Sequence, residues 1–152
     1  AHNIAKKEKY GGRWLLVHRK GATRALPAKH EDNPSCYKDT GHPAIIPGSM
    51  GTGSYVVIGT DRIRETFCSV NHGAGRVMSR KRAKTEFTKA DLIEQMGHVV
   101  TIARSMKSLL DEAPLAYKDI DEVIFTLVEA GLTKPVVKLS PMGVLKGEGS
   151  EG

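Results

Sequence analysis

The chain has 152 residues, of which 39% are hydrophobic and 26% charged, a balance that fits one soluble globular domain with a modest core. Its 23 lysines and arginines against 17 acidic residues leave a formal charge of +6, which favours a polyanionic partner without requiring one. No apolar run approaches the roughly 18 residues of a membrane span, and aromatics at 5% argue against a surface of stacked bases.

The first residues, Ala1 to Glu8, are polar and charged, with no signal-peptide pattern and no initiator Met, so the chain reads as an excerpt or a processed piece. Residues 3–9 carry the composition of a short helix. Arg13 to Arg19 reads as a buried strand ending at the turn residue Gly21. Residues 27–43 hold Pro27, Asn33, Pro34, Gly41 and Pro43 and predict a long irregular loop. Ala44 to Ile46 is a short strand. A glycine-rich stretch, Pro47 to Ser54, then feeds a strand over Tyr55 to Ile58. Glycines return at Asn71-His72-Gly73-Ala74-Gly75, ahead of a basic segment that reaches Lys84. Thr88 and Asp91 have capping-box spacing before a helix that stops at Gly97, and His98 to Ala103 is a strand. Asp119 and Glu122 repeat the capping pattern, and Ile120, Val123, Ile124, Leu127 and Val128 mark one helical face ending at Gly131. Val136 to Leu139 alternates as a half-buried strand, and Gly143 to Gly147 closes the ordered chain before a polar tail over 148–152. Strands and helices mix without a βαβ rhythm, which predicts an α+β fold, mixed sheets with flanking helices, in one domain over 1–147.

The cysteines, Cys36 and Cys68, make neither a CxxC pair nor a zinc spacing and read as free thiols in a reducing compartment, so a cytoplasmic location is expected. The two glycine-rich loops either form tight turns or present backbone N–H groups to an anion. Neither is a Walker A loop or a dinucleotide fingerprint. His72 lies directly before Gly73-Ala74-Gly75-Arg76, with Arg80 one helical turn beyond Arg76, which places two arginines on one helix face. Imidazole is a competent nucleophile near neutral pH and forms phosphoramidates; neighbouring cations favour its neutral form and stabilise charge on phosphate oxygens. The alternative is a loop histidine bonded only to backbone. His2 with Asn3 is a candidate metal ligand with a polar neighbour, whereas His18, His30, His42 and His98 share no ligand spacing and read as surface or satisfied core residues. Two basic clusters, Arg13 to Arg24 and Arg76 to Lys84, are either solvated faces or phosphate-binding surfaces.

Taken in order, these stretches resemble the C-terminal region of the RtcB family of RNA-splicing ligases. The matching motifs are His2-Asn3-Ile4-Ala5-Lys6, Val17-His18-Arg19-Lys20-Gly21-Ala22-Thr23-Arg24-Ala25, Ile46-Pro47-Gly48-Ser49-Met50-Gly51-Thr52 with Ser54, and His72-Gly73-Ala74-Gly75-Arg76-Val77-Met78-Ser79-Arg80. Glu112-Ala113-Pro114 with Ala116-Tyr117-Lys118, and Gly143-Val144-Leu145-Lys146-Gly147, complete them. The resemblance implies a ligase dependent on GTP and two manganese ions (Mn2+). It would join an RNA 3′-phosphate or 2′,3′-cyclic phosphate to a 5′-hydroxyl, as in tRNA splicing and RNA repair. His72 matches the nucleophile that becomes guanylylated. Pro47, Gly48, Ser49, Met50 and Ser54 fall on the guanylate-binding loop, with Gly73, Ala74 and Gly75 lining the same nucleotide. Lys146 matches a lysine that contacts guanine, and Tyr117 an aromatic packed near the base. His2 matches a manganese ligand, with Asn3 beside it in the GTP pocket. Lys20, Arg76 and Arg80 would hold RNA phosphates.

The family's other metal ligands, an aspartate, a cysteine and further histidines, lie N-terminal to the matched region, and Cys36 and Cys68 do not occupy the metal-cysteine motif. The resemblance therefore implies a partner, the N-terminal part of the ligase, without which this piece binds metal poorly and ligates weakly or not at all; it would otherwise be a non-catalytic GMP- or RNA-binding remnant. Asn71 stands where other members often carry cysteine, and the tail extends past the family's usual lysine-glycine end.

Overall fold

Strand pairing starts at the beginning of the chain, in a computed structural model that describes residues 2–147. The tail over 148–152 lies outside the described residues. β1 (Asn3–Tyr10) and β2 (Arg13–Lys20) form an antiparallel hairpin. The helix expected over residues 3–9 is thus a strand. Its lysines, glutamate and alanine favour a helix locally, but the Gly11-Gly12 turn, with both φ positive at 55° and 79°, folds the segment back onto a β-rich partner. One face of the hairpin carries Asn3, Ala5, Lys7 and Lys9 opposite Trp14, Leu16, His18 and Lys20, and all eight are exposed. The other face carries Glu8 and Arg19, both buried. β2 is therefore not the buried strand its apolar run suggests: Trp14 is 63% exposed, with the Lys7 ammonium 5.2 Å from its ring centre.

β3 (Ala22–Arg24) pairs antiparallel with β6 (Ser69–Asn71), and a three-stranded sheet runs β4 (Ala44–Pro47), β5 (Ser54–Gly59), β8 (Thr133–Leu139). β7 (Val100–Ala103) and β9 (Gly143–Lys146) pair in parallel. The helices are α1 (Arg80–Glu86), α2 (Lys89–Met96) and α3 (Ile120–Glu129). The mixture of small sheets and helices is the α+β class that the sequence predicts. Residues 27–43 form the expected irregular loop, with one 3-10 turn over Ser35–Tyr37. Thr88 and Asp91 close the predicted capping box on α2, and Gly97 ends that helix. Asp119 caps α3 through the Asp121 N–H at 2.8 Å. β8 departs from expectation: beyond buried Thr133 its residues are exposed, because it is an edge strand, which also accommodates Pro135. Among the described residues no helix is long and apolar enough to cross a membrane.

The core has two parts. Leu26, Ile46, Val57, Ile63, Cys68 and Val70 pack beneath Ile120 and Ile124 of α3. Met50, Leu92, Met96, Val99, Leu109 and Leu110 form a second cluster around α2. Met50 lies on the loop 48–53, so that loop is anchored by burial rather than left free. Cys68 is a buried free thiol and Cys36 an exposed one.

A polar knot joins the hairpin to this body. Arg19 forks onto Glu8 with two bonds of 2.7 and 2.8 Å, and Tyr10 donates to the same carboxylate at 2.8 Å. Burial pushes the Glu8 carboxyl up, but the bonds from Arg19 and Tyr10 and the charges of Arg19 and Arg24 outweigh it and hold the group below its ordinary value of 4.5. Truncating one partner leaves the other's charge uncompensated, at a cost of about 3–5 kcal/mol.

Two predictions follow from this packing. Ile46 is fully buried and its neighbour Ile45 is 60% exposed, so Ile46→Ala should lose about 2–5 kcal/mol in urea unfolding and Ile45→Ala about 0.5 or less. Because Glu8 is depressed, its contribution is present above pH 4.5 and is lost as pH falls through the lower folded value. The urea midpoint should therefore drop on acidification below pH 4.5, with a shallower drop in Glu8→Gln.

Candidate functional site

Backbone hydrogen bonds bring three distant residues into a row. The Gly21 N–H donates to the His2 carbonyl at 2.9 Å, and the His72 N–H donates to the Gly21 carbonyl at 3.2 Å. Gly21 adopts φ +70°, the left-handed region that suits glycine, and so lets the chain leave β2 and enter β3. A Cβ built on it would lie 3.8 Å from His2 Nε2, so the imidazole of His2 covers this position. The rings of His2 and His72 meet edge to face, centroids 4.5 Å apart at 74°. His72 Nε2 is buried and has no hydrogen-bond partner. A buried nitrogen without a partner carries a desolvation cost unless a ligand engages it, which makes it the most informative atom in the molecule.

The loop that follows His72 is tied to the other glycine loop. The Ala74 N–H donates to the Pro47 carbonyl at 2.9 Å, tying the loop after His72 to the loop after β4. The second loop is closed by Gly48 N–H to the Gly53 carbonyl at 3.0 Å, and by Thr52 Oγ1, which accepts from the Ser49 N–H at 2.7 Å and pairs with Ser49 Oγ at 2.8 Å. Ser54 opens β5 opposite Pro47. Asn71 donates to the Gly73 carbonyl at 2.7 Å and steadies the turn. A cleft of about 620 Å³ lies beside Gly73, Ala74 and Gly75, with Tyr117, Lys118 and the first turns of α3 among its other walls.

The cationic residues separate into different surroundings. Arg76 does not share a helix face with Arg80, because α1 starts at Arg80 behind the Ser79 cap, while Arg76 lies before it and pairs with Tyr117 in an isolated bridge. The Arg76 guanidinium stacks 4.7 Å over the Tyr117 ring, donates to its hydroxyl at 2.9 Å and donates to the carbonyls of Met78 and Asp111. Arg80 is exposed, with Asp111 at 3.9 Å. Lys20 and Asn3 stand on the exposed face of the hairpin, where Asn3 Oδ1 meets His18 Nε2. Lys146 ends β9 in an ion pair with Glu112. His30 and His42 have hydrogen-bonding partners and His98 is exposed, which agrees with their reading as surface or satisfied residues.

The donor set does not fit a two-manganese centre. Among the described residues no group of three His, Cys, Asp or Glu side chains gathers where one ion could sit. His2 can supply one nitrogen to such a centre. Sequence reasoning singled out His2, His72 and both glycine loops but missed what joins them. Gly21 was legible only as a turn. The Glu8–Arg19 fork left only the weak trace of two opposite charges on paired strands.

Gly48 and Gly73 give a contrast. A Cβ on Gly48 would sit 2.4 Å from the Gly53 carbonyl, whereas one on Gly73 meets nothing nearer than 3.4 Å. Gly48→Ala should therefore destabilise thermal unfolding by about 1–3 kcal/mol, and Gly73→Ala by clearly less.

Comparison with known proteins gives the family. Residues 1–147 match the family model described as tRNA-splicing ligase RtcB. The chain is 49% identical to a protein of that name from Methanopyrus kandleri, over 97% of this chain and 16% of that protein. It is 48% identical to one from Pyrococcus horikoshii, over 97% of this chain and 18% of that protein. For one from Thermococcus kodakarensis the identity is 47%, over 97% of this chain and 32% of that protein. The chain thus spans a third or less of the length of these relatives. With a match that runs through both glycine loops, His2 and His72, the chain belongs to the RtcB family of tRNA-splicing ligases.

Proposed function

We propose that this chain supplies the guanylate-accepting part of a GTP-dependent RNA ligase, with His72 Nε2 as the nucleophile. The observation that carries the reading is that nitrogen: buried, without a partner, edge-on to the His2 ring and directly before Gly73-Ala74-Gly75. In the tautomer protonated on Nδ1 the Nε2 lone pair is free of hydrogen bonds and available for attack, and glycine loops let a phosphate approach the backbone closely.

In this reading His72 Nε2 bonds to the α-phosphorus of GTP, the bond to the bridging oxygen breaks and pyrophosphate leaves. An oxygen of the RNA 3′-phosphate then takes the guanylate, which frees the imidazole. The RNA 5′-hydroxyl attacks the activated phosphorus, gives up its proton and displaces GMP, leaving a phosphodiester. A 2′,3′-cyclic phosphate end must first take up water to become a 3′-phosphate. Pro47, Gly48, Ser49, Met50, Ser54, Gly73, Ala74 and Gly75 frame the nucleotide, with Tyr117 and Lys146 near its base. His2 fixes the His72 ring by edge contact and offers a metal nitrogen, with Asn3 beside it in sequence. Exposed Lys20 and Arg80 are free to meet RNA phosphates, and Arg76 does so with the donors that Tyr117 and the two carbonyls leave. The remaining metal ligands would come from the rest of the ligase.

The test is mass spectrometry after incubation with GTP and Mn2+, on the chain alone and within a full-length ligase of the family. One guanylate on the His72 peptide, lost in His72→Ala, is the expected result. Normal labelling of His72→Ala overturns the assignment. Absence of an adduct in both contexts points instead to a remnant that binds GMP or RNA without catalysis.

A further inference from the structure

We propose that Arg19 and Glu8 are positioning residues for the reaction at His72: their buried fork holds the hairpin that begins just after His2 against the strand that leads into His72. This inference rests on the reading of His72 as nucleophile.

The connections run in one direction. Arg19 uses Nη1 and Nη2 on Glu8, at 2.7 and 2.8 Å, which locks the two strands of the hairpin together. The same guanidinium donates from Nη2 to the Phe67 carbonyl at 2.7 Å and from Nε to Ser69 Oγ at 2.8 Å, which locks the hairpin to the segment entering β6. Tyr10 repeats the bridge: its single hydroxyl proton lies between the Glu8 carboxylate at 2.8 Å and the Phe67 carbonyl at 2.9 Å. Phe67 and Cys68 sit at φ 53° and 50°, a left-handed pair without glycine that needs such outside support. Ser69 lies three residues before His72, and Arg19 two residues before Gly21, whose amide and carbonyl join His2 to His72. The His2 and His72 rings touch only edge to face, so their spacing follows from where the two backbones are held. A forked guanidinium fixes that placement in angle as well as distance, which a lysine would not.

The roles of fold element and positioning residue separate in the double variant Glu8→Met/Arg19→Met. The double variant removes both charges together and so leaves no uncompensated buried charge, while it also releases the Phe67 carbonyl and Ser69 Oγ, so its melting temperature is measured alongside. Within a full-length ligase of the family, its first-step labelling with GTP should slow by about 10- to 100-fold, because a shift of about 1 Å at a reacting group costs on that order. The KM for GTP should stay within about two-fold, since the fork lies outside the nucleotide loops. In the chain itself, the His72 ring proton resonance, assigned by its loss in His72→Gln, lies in the ring current of His2 and should move in the double variant. Ser69→Ala removes one link without touching the ion pair and should move the same resonance less, which keeps the test intact if the double variant fails to fold. An unmoved resonance and unchanged rate at an unchanged melting temperature overturn the proposal. A moved resonance with normal labelling of His72→Ala overturns the nucleophile reading alone and leaves the clamp standing.

Discussion

The buried guanidinium of Arg19 is the point through which three segments of the chain are held at once. It binds the strand partner Glu8, the Phe67 carbonyl and the Ser69 hydroxyl, and its side chain is 2% exposed. An isolated charge in such a place would be strongly unfavourable, and here each guanidinium nitrogen donates to an acceptor. The left-handed Phe67-Cys68 turn costs about 1–3 kcal/mol per residue, and the bonds that Arg19 and Ser69 donate to the Phe67 carbonyl offset it, with the Tyr10 hydroxyl also 2.9 Å away. The turn in turn aims β6 toward His72.

From that knot the site is assembled by backbone rather than by side chains. His2, Gly21 and His72 lie in a hydrogen-bonded row, and the two glycine loops are tied by the Ala74–Pro47 bond. The loop over 48–53 is held in place, because Met50 is sunk into the second core cluster and Gly51 has room only for a hydrogen, with Pro114 and the Gln95 carbonyl within 3 Å of a would-be Cβ. A rigid backbone suits phosphate chemistry, where binding geometry and electrostatics supply most of the catalysis.

Tyr117 and Lys146 illustrate a second level of organisation. Each is held by an opposite or stacking group from elsewhere in the chain, Tyr117 by Arg76 and Lys146 by Glu112. Arg76 also reaches the Asp111 carbonyl, next to Glu112 in sequence, so the two residues are linked through the 3-10 turn over Met106–Glu112. The aromatic ring and the lysine are thereby set with respect to one another.

By itself the sequence determined the α+β class, the irregular loop over 27–43, the caps of α2 and α3, and the ordered motifs that mark the family. All of these depend on local chemistry: turn residues, capping side chains and runs of like type. Only the tertiary structure decided that residues 3–10 form a strand, since pairing with β2 outweighs a helical composition. It likewise decided that β8 is an exposed edge, and that Arg76 belongs with Tyr117 and not with Arg80. Above all it decided that His2 and His72, 70 positions apart, share an edge contact through Gly21. Such contacts arise from strand register and from the Glu8–Arg19 fork, and neither spacing nor propensity carries register across that distance.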